Sequence, residues 1–193
     1  MILSDGIIGQ MMEKVELGPQ KNRRSREEVV KSAPWATTGK TPDRYHNIVT
    51  SLDLIAANQE KFNIKLQAKY AVIEENEVRY EEIDTQDADY IFVAYGSSSR
   101  ICQSAMKIAR AKGIKVGLLR PITLFPFPKK CIAEMAETKK GFLSVEMNAG
   151  QMVEDVRLAV NGKKPVEHYG RMGGIIPTPE EVVEALERKI IGG

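Results

Sequence analysis

Cysteine is scarce in this chain. It holds two, Cys102 and Cys131, each inside an amphipathic helical pattern and neither with a Cys or His at metal-ligand spacing. That excludes a disulfide framework and a thiolate metal cluster, and a reducing compartment is expected. Long apolar runs are missing as well: none approaches the roughly 18 residues of a membrane span, and the start has no charged-then-apolar leader profile. A cytoplasmic location with no membrane is the expectation. Charge of one sign is not in excess. The formal net charge is +2 over 193 residues, and Lys and Arg are mostly interleaved with Glu and Asp. Only Lys21, Arg23, Arg24 and Arg26 cluster, so no nucleic-acid surface is expected. Neither GxGxxG nor a Walker sequence occurs.

What is present is ordinary globular material, 42% hydrophobic and 28% charged. A chain of this length buries one core with a smaller appendage left over. Met1-Ile-Leu-Ser-Asp-Gly-Ile-Ile-Gly-Gln reads as a strand end, a turn at Asp5-Gly6 and a short helix from Ile7. From 17 to 47, Gly18-Pro19, the basic run, Pro34, Gly39 and Thr41-Pro42 break any period, predicting an extended linker arm. Leu52, Ile55, Phe62, Leu66, Tyr70 and Ile73 then share one helical face, predicting a long helix within 48–84. From 85 to 193 short apolar runs alternate with helical stretches. Strands are predicted at 89–95, 114–119, 141–146 and around 166–169, with helices at 99–112, 129–138 and 151–160. Thr178-Pro179-Glu180-Glu181 carries a capping Thr, a Pro in the first turn and a Glu at the third position, which marks a further helix start. Such alternation predicts an α/β domain of three α/β/α layers on a mostly parallel sheet.

Three segments at predicted strand ends could carry chemistry. Gly96, Ser97 and Ser98 sit where a strand hands over to a helix, a geometry that binds anions and that equally serves as a plain helix cap. Arg100 stands where a nucleophile elbow needs its second Gly, which disfavours a hydrolase. Arg120 precedes a loop stiffened by three prolines, suited to packing or to a subunit contact. Glu146, Asn148 and Gln151 gather an acid and two carboxamides, which either tie loops together or touch a ligand. No residue is read as catalytic, cofactor-binding or metal-ligating.

Tyr95-Gly-Ser-Ser-Ser-Arg, Gly113-Ile-Lys-Val-Gly-Leu-Leu-Arg-Pro-Ile-Thr-Leu-Phe-Pro-Phe-Pro and Val145-Glu-Met-Asn-Ala-Gly-Gln-Met, in this order and spacing, resemble core domain II of the pyruvate:ferredoxin oxidoreductase superfamily, a relative of the transketolase carboxy-terminal domain. Leu3-Ser-Asp-Gly-Ile-Ile-Gly-Gln-Met looks like the end of the preceding pyrimidine-binding domain, so residues 1–16 are expected to be its remnant. Leu66-Gln-Ala-Lys-Tyr-Ala and Val78-Arg-Tyr-Glu-Glu look most like the alpha subunit of the 2-oxoisovalerate, branched-chain type. The resemblance implies a multi-subunit enzyme that decarboxylates a 2-oxoacid oxidatively to an acyl-CoA. Thiamine diphosphate, Mg and iron–sulfur clusters would lie on other parts of the complex, and this chain has no Gly-Asp-Gly followed by Asn-Asn for the magnesium site. The implied partners are a beta subunit, an iron–sulfur subunit, ferredoxin and CoA, with self-association through the arm. The chain itself, a truncated or split part, is expected to be inactive alone. A free-standing transketolase-like scaffold or small-molecule module is the alternative.

Overall fold

The computed structural model describes residues 1–19, 23–33, 35, 36, 39 and 50–192. Most of the second half of the predicted linker arm, residues 40–47, lies outside them. The chain divides into two units, one of Met1–Met11 with Tyr70–Gly193 and one of Met12–Lys69.

In the smaller unit, residues Arg26–Ser32 form a helix, α1, inside the stretch predicted to be extended. Its start is set locally. Ser25 accepts from the Glu28 amide at 3.2 Å while the Glu28 carboxylate takes the Ser25 amide at 2.7 Å, a reciprocal capping box. The predicted long helix is α2, Ala56–Asn76, and buries none of its residues. Leu52 and Ile55 precede it, so the apolar face it carries is shorter than the periodicity suggested. Among the described residues no helix is long and apolar enough to cross a membrane.

The larger unit is built on a five-stranded sheet. Its elements are β1 (Tyr80–Ile83), β2 (Tyr90–Val93), α3 (Gly96–Ala111), β3 (Val116–Pro121), α4 (Lys129–Thr138), β4 (Gly141–Glu146), α5 (Met152–Val160), β5 (Val166–Gly170) and α6 (Pro179–Leu186). The strand order is β1-β3-β2-β4-β5. All neighbours pair in parallel except β1, which lies antiparallel to β3 with Tyr80 opposite Pro121. β1 was not anticipated: Tyr80-Glu-Glu-Ile is mostly polar, and as an edge strand it leaves its outer side unpaired.

The period-two alternation of strand side chains sorts the core into two faces. Phe92, Leu118, Leu143 and Val145 point to one side, where Cys102, Ala105, Met106 and Ala109 of α3 and Val182, Val183 and Leu186 of α6 cover them. Ile91, Val93, Leu119 and Phe142 point to the other, under Ile132, Met135 and Ala136 of α4 and Met152, Val156 and Val160 of α5. This is the expected three-layer arrangement. Burial on both sides explains why the parallel strands read as unbroken apolar runs.

Polar ties close the ends. Arg110, late in α3, donates from Nε to the Val116 carbonyl at 2.8 Å, from Nη2 to the Asp84 carbonyl at 2.8 Å, and through both terminal nitrogens to the Asp87 carboxylate at 2.8 and 3.0 Å. One planar guanidinium thus fastens the β1–β2 turn to the start of β3. At α6 the Thr178/Glu181 capping box forms as predicted, and Glu181 also accepts from Tyr169 at 3.1 Å and Arg171 at 2.7 Å, joining the end of β5 to the helix.

Gly117 shows how closely the β1–β2 turn lies on β3, because a Cβ there would stand 2.7 Å from the Asp84 carbonyl oxygen and 2.8 Å from the Thr85 Cα. Both are backbone atoms that cannot swing aside. Gly117→Ala is therefore expected to lower unfolding free energy by about 1–3 kcal/mol in urea titration. An unchanged midpoint would mean that the turn yields freely.

Candidate functional site

Parallel pairing of β2, β3 and β4 brings their carboxyl ends to one edge, the usual position for ligands in open α/β sheets. Residues following β2 and β4 line a cleft of about 300 Å³ there, including Tyr95, Gly96, Ser98, Glu146, Asn148 and Gln151, together with Leu3, Ser4, Asp5 and Ile8 from the opening segment. A larger hollow of about 530 Å³ lies between the end of α2 and the 126–131 segment. Glu74, Glu75, Lys129, Lys130 and Glu134 mix both charge signs along its wall. The smaller cleft is the better candidate, because polar groups converge on it.

Glu146, the last residue of β4, is 1% exposed. A buried carboxylate must be compensated, and four donors do this. Oε2 accepts the Gln151 and Met152 amides at 3.0 and 2.9 Å, and Oε1 accepts the Val153 amide at 2.9 Å and the Ser144 hydroxyl at 3.0 Å. These three amides are the free N–H groups at the start of α5, so Glu146 caps that helix from the strand before it. Burial alone would push its carboxyl up, but the three amides and Ser144 outweigh that and hold it below the ordinary value.

His168 Nε2 stands 3.9 Å from Glu146 Oε1, too far for a hydrogen bond, and is buried without a partner. Burial holds the imidazole below its ordinary value despite the upward pull of Glu146. Asn148 Oδ1 accepts the Gly150 amide at 2.7 Å, a local turn that Gly150 completes at φ +108°. The bracing anticipated for Glu146, Asn148 and Gln151 thus runs within their own loop and into α5, through side chains of the first two and the backbone of the third.

At the start of α3, Gly96 takes φ +56° and the Ser99 hydroxyl donates to its carbonyl at 2.7 Å. Ser97 is 7% exposed, and its Oγ makes no hydrogen bond. Ser98 faces the cleft. Tyr95 keeps its proton: burial raises its phenol, and the negative charges of Glu146 and Asp5 add to this. Arg120 does not join the group. It lies within β3, and its Nη1 donates to Glu81 of β1 at 2.9 Å, on the far side of β2 from Glu146. In the proline loop that follows, Phe125 is exposed and meets the Tyr70 ring edge-on at 6.0 Å.

Asp5 was legible only as a turn residue. Its Oδ1 accepts the Ile7 and Ile8 amides at 3.0 and 2.8 Å, as turn chemistry predicts. No local pattern announces that it also approaches Gly96, some ninety residues on.

Nothing here fits a metal-bound diphosphate. Among the described residues the cleft lining holds no Lys or Arg, and no group of three or more His, Cys, Asp or Glu could hold a metal ion.

A three-layer domain with its polar loops at the carboxyl edge of a mainly parallel sheet is an open, doubly covered α/β fold. A split gene transketolase, an inactive beta4 tetramer, overlays 58% of the chain and 41% of its own with a TM-score of 0.51 at 19% identity, a likeness of fold alone. Residues 88–182 match the model of pyruvate:ferredoxin oxidoreductase core domain II and form a domain of that family. It is 47% identical over its whole length to the ketoisovalerate oxidoreductase subunit VorB of Methanothermobacter thermautotrophicus, covering 52% of that protein. Against the 2-oxoglutarate synthase subunit KorA of Archaeoglobus fulgidus it is 31% identical over 98% of its length, covering 53% of the relative. The chain spans about half the length of these relatives. The 2-oxoglutarate:ferredoxin oxidoreductase from Magnetococcus marinus, solved with 2-oxoglutarate, coenzyme A and succinyl-CoA bound, overlays 80% of the chain and 28% of its own with a TM-score of 0.64 at 27% identity.

Removing the Glu146 carboxylate leaves its buried donors without an acceptor, so Glu146→Ala is expected to cost about 2 kcal/mol or more of stability. The pH dependence has a definite sign. Because the folded carboxyl is held low, its contribution is complete above the unfolded value near about 4.3 and is lost as pH falls through the folded value. Acid titration of Glu146→Gln should accordingly show a shallower loss below about pH 4.3 than the unmodified chain. Equal slopes would remove Glu146 as the acid-sensitive cap.

Proposed function

We propose that the chain is part of the alpha subunit of a 2-oxoacid:ferredoxin oxidoreductase of the 2-oxoisovalerate type. The observation that carries this is the full-length 47% identity to a ketoisovalerate oxidoreductase subunit, against 31% to a 2-oxoglutarate synthase subunit. The complete enzyme would convert a branched 2-oxoacid and CoA to acyl-CoA and carbon dioxide, passing an electron pair and releasing a proton as ferredoxin is reduced. Thiamine diphosphate, Mg and iron–sulfur clusters belong in this reading to the rest of the complex, on a pyrimidine-binding domain, a beta subunit and an iron–sulfur subunit, in the cytoplasm.

The part played by this chain is structural. Its doubly covered sheet is a rigid block, and Glu146 locks the 147–153 loop to that block, so the carboxyl edge offers neighbouring subunits a fixed surface. Gly96, Asn148 and Gln151 are the residues at this edge through which it would meet them, with the buried Ser97 and Ser98 behind them. Arg120, held by Glu81, would stiffen the adjoining proline loop.

Assembled with the remaining part of its subunit and the partner subunits, the chain should support CoA-dependent ferredoxin reduction with a kcat/KM for 2-oxoisovalerate at least about tenfold above that for 2-oxoglutarate. Preference for 2-oxoglutarate would overturn the branched-chain assignment. The isolated chain should give no turnover and no saturable heat with thiamine diphosphate and magnesium. Saturable heat would move part of the cofactor site into it.

A further inference from the structure

We propose that the hollow between the end of α2 and the 126–131 segment docks a polypeptide segment of a neighbouring subunit, one in which an apolar side chain lies between a basic and an acidic residue. That a neighbouring subunit exists rests on the function proposed above; the site itself rests on the charge and shape of the hollow. It follows β3, on the far side of β2 from the Glu146 cleft, so it is a contact separate from that one.

Charge of both signs surrounds the hollow. Glu74 and Glu75 come from the last turn of α2, Glu134 from α4, and Lys129 and Lys130 from the start of α4. Among the described residues none of these five side chains forms an ion pair. Charges just beyond the rim behave differently. Glu77 pairs with Arg79 at 3.4 Å, Glu81 with Arg120 at 2.9 Å, and Glu137 with Lys163. Unpaired charge of both signs is thus gathered at the hollow, and a segment carrying one residue of each sign is its electrostatic complement. A partner of a single sign, such as a nucleic-acid strand, would be repelled by one set while it met the other.

The shape is set before anything enters. Pro126 and Pro128 line the hollow with fixed φ angles. Thr123 Oγ1 donates to the Pro126 carbonyl at 2.8 Å and accepts the Arg79 amide at 2.9 Å, while the Ile122 amide donates to the Arg79 carbonyl at 2.9 Å. The loop is therefore tied to the residue that precedes β1, and a wall already ordered loses little freedom when a partner binds. Phe127 and Val78 add apolar surface between the charges. Close by, Phe125 is 61% exposed yet held edge-on by Tyr70, one turn before Glu74 on α2. An apolar, aromatic centre within a charged rim is the layout of a protein–protein contact, and about 530 Å³ receives a few side chains.

The test uses the full chain assembled with the rest of its subunit and the partner subunits, with the Kd of assembly read by sedimentation velocity. Glu74→Lys with Glu75→Lys, and separately Lys129→Glu with Lys130→Glu, should each raise Kd at least about tenfold. Lys107→Glu, on the exposed side of α3, should leave it unchanged. Salt raised from about 0.05 to about 0.5 M should weaken the unmodified complex more than either reversed one. Equal urea midpoints report that the variants are folded. In the unmodified complex, carbodiimide should couple Lys129 or Lys130 to a carboxylate, and Glu74 or Glu75 to an amine, of one short segment of a partner. A Kd within about twofold for both reversals, coupling only to a second copy of this chain, or coupling to widely separated segments would each overturn the docking site and leave the subunit assignment standing. Failure of the unmodified chain to assemble at all would overturn both.

Discussion

β2 hydrogen-bonds in parallel to β3 on one side and to β4 on the other, and this double pairing sets the direction in which three consecutive βα units leave the sheet. Parallel neighbours require crossovers, the crossovers here are helices, and helices on both faces close the core. The same pairing places the end of β2, which becomes the start of α3, next to the end of β4, which presents Glu146. A cleft at that junction follows from topology before any side chain is chosen. Side chains decide only what it contacts.

Glu146 and His168 show how that content is tuned. The carboxylate is stabilised as an anion by backbone amides, so it needs no cation, and the neighbouring imidazole is kept neutral by burial. Gly170 is part of this arrangement, because a Cβ there would run into the Asn148 carbonyl oxygen and the His168 ring. β5, the 147–150 loop and the start of α5 are thereby pressed into one unit, with the charge at its centre satisfied by dipoles.

The sheet was legible in the sequence wherever strands were buried on both faces. Ile91-Phe92-Val93 and Phe142-Leu143-Ser144-Val145 are apolar runs between turn signals, and Thr178-Pro179-Glu180-Glu181 carries its capping box within four residues. What escaped notice depends on partners distant in sequence. β1 is a strand because β3 lies beside it some forty residues later, and Arg120 finds Glu81 only through that pairing. Glu146 caps a helix that starts six residues on, beyond the three-residue span of a capping box, so it read as one of a polar trio rather than as a cap. α1 failed for the opposite reason: its signal is local and complete in Ser25 and Glu28, but basic residues and nearby Gly and Pro made the segment read as linker.

The two outer strands carry a consequence for the chain in isolation. β1 has four residues with Glu81 and Glu82 among them, and β5 has five with Glu167 and His168. Short, charge-bearing edges are poor templates for another chain's strand. The sheet is thus protected against open-ended stacking into fibrils. An added strand finds no long apolar edge to pair with, so these edges do not extend the sheet.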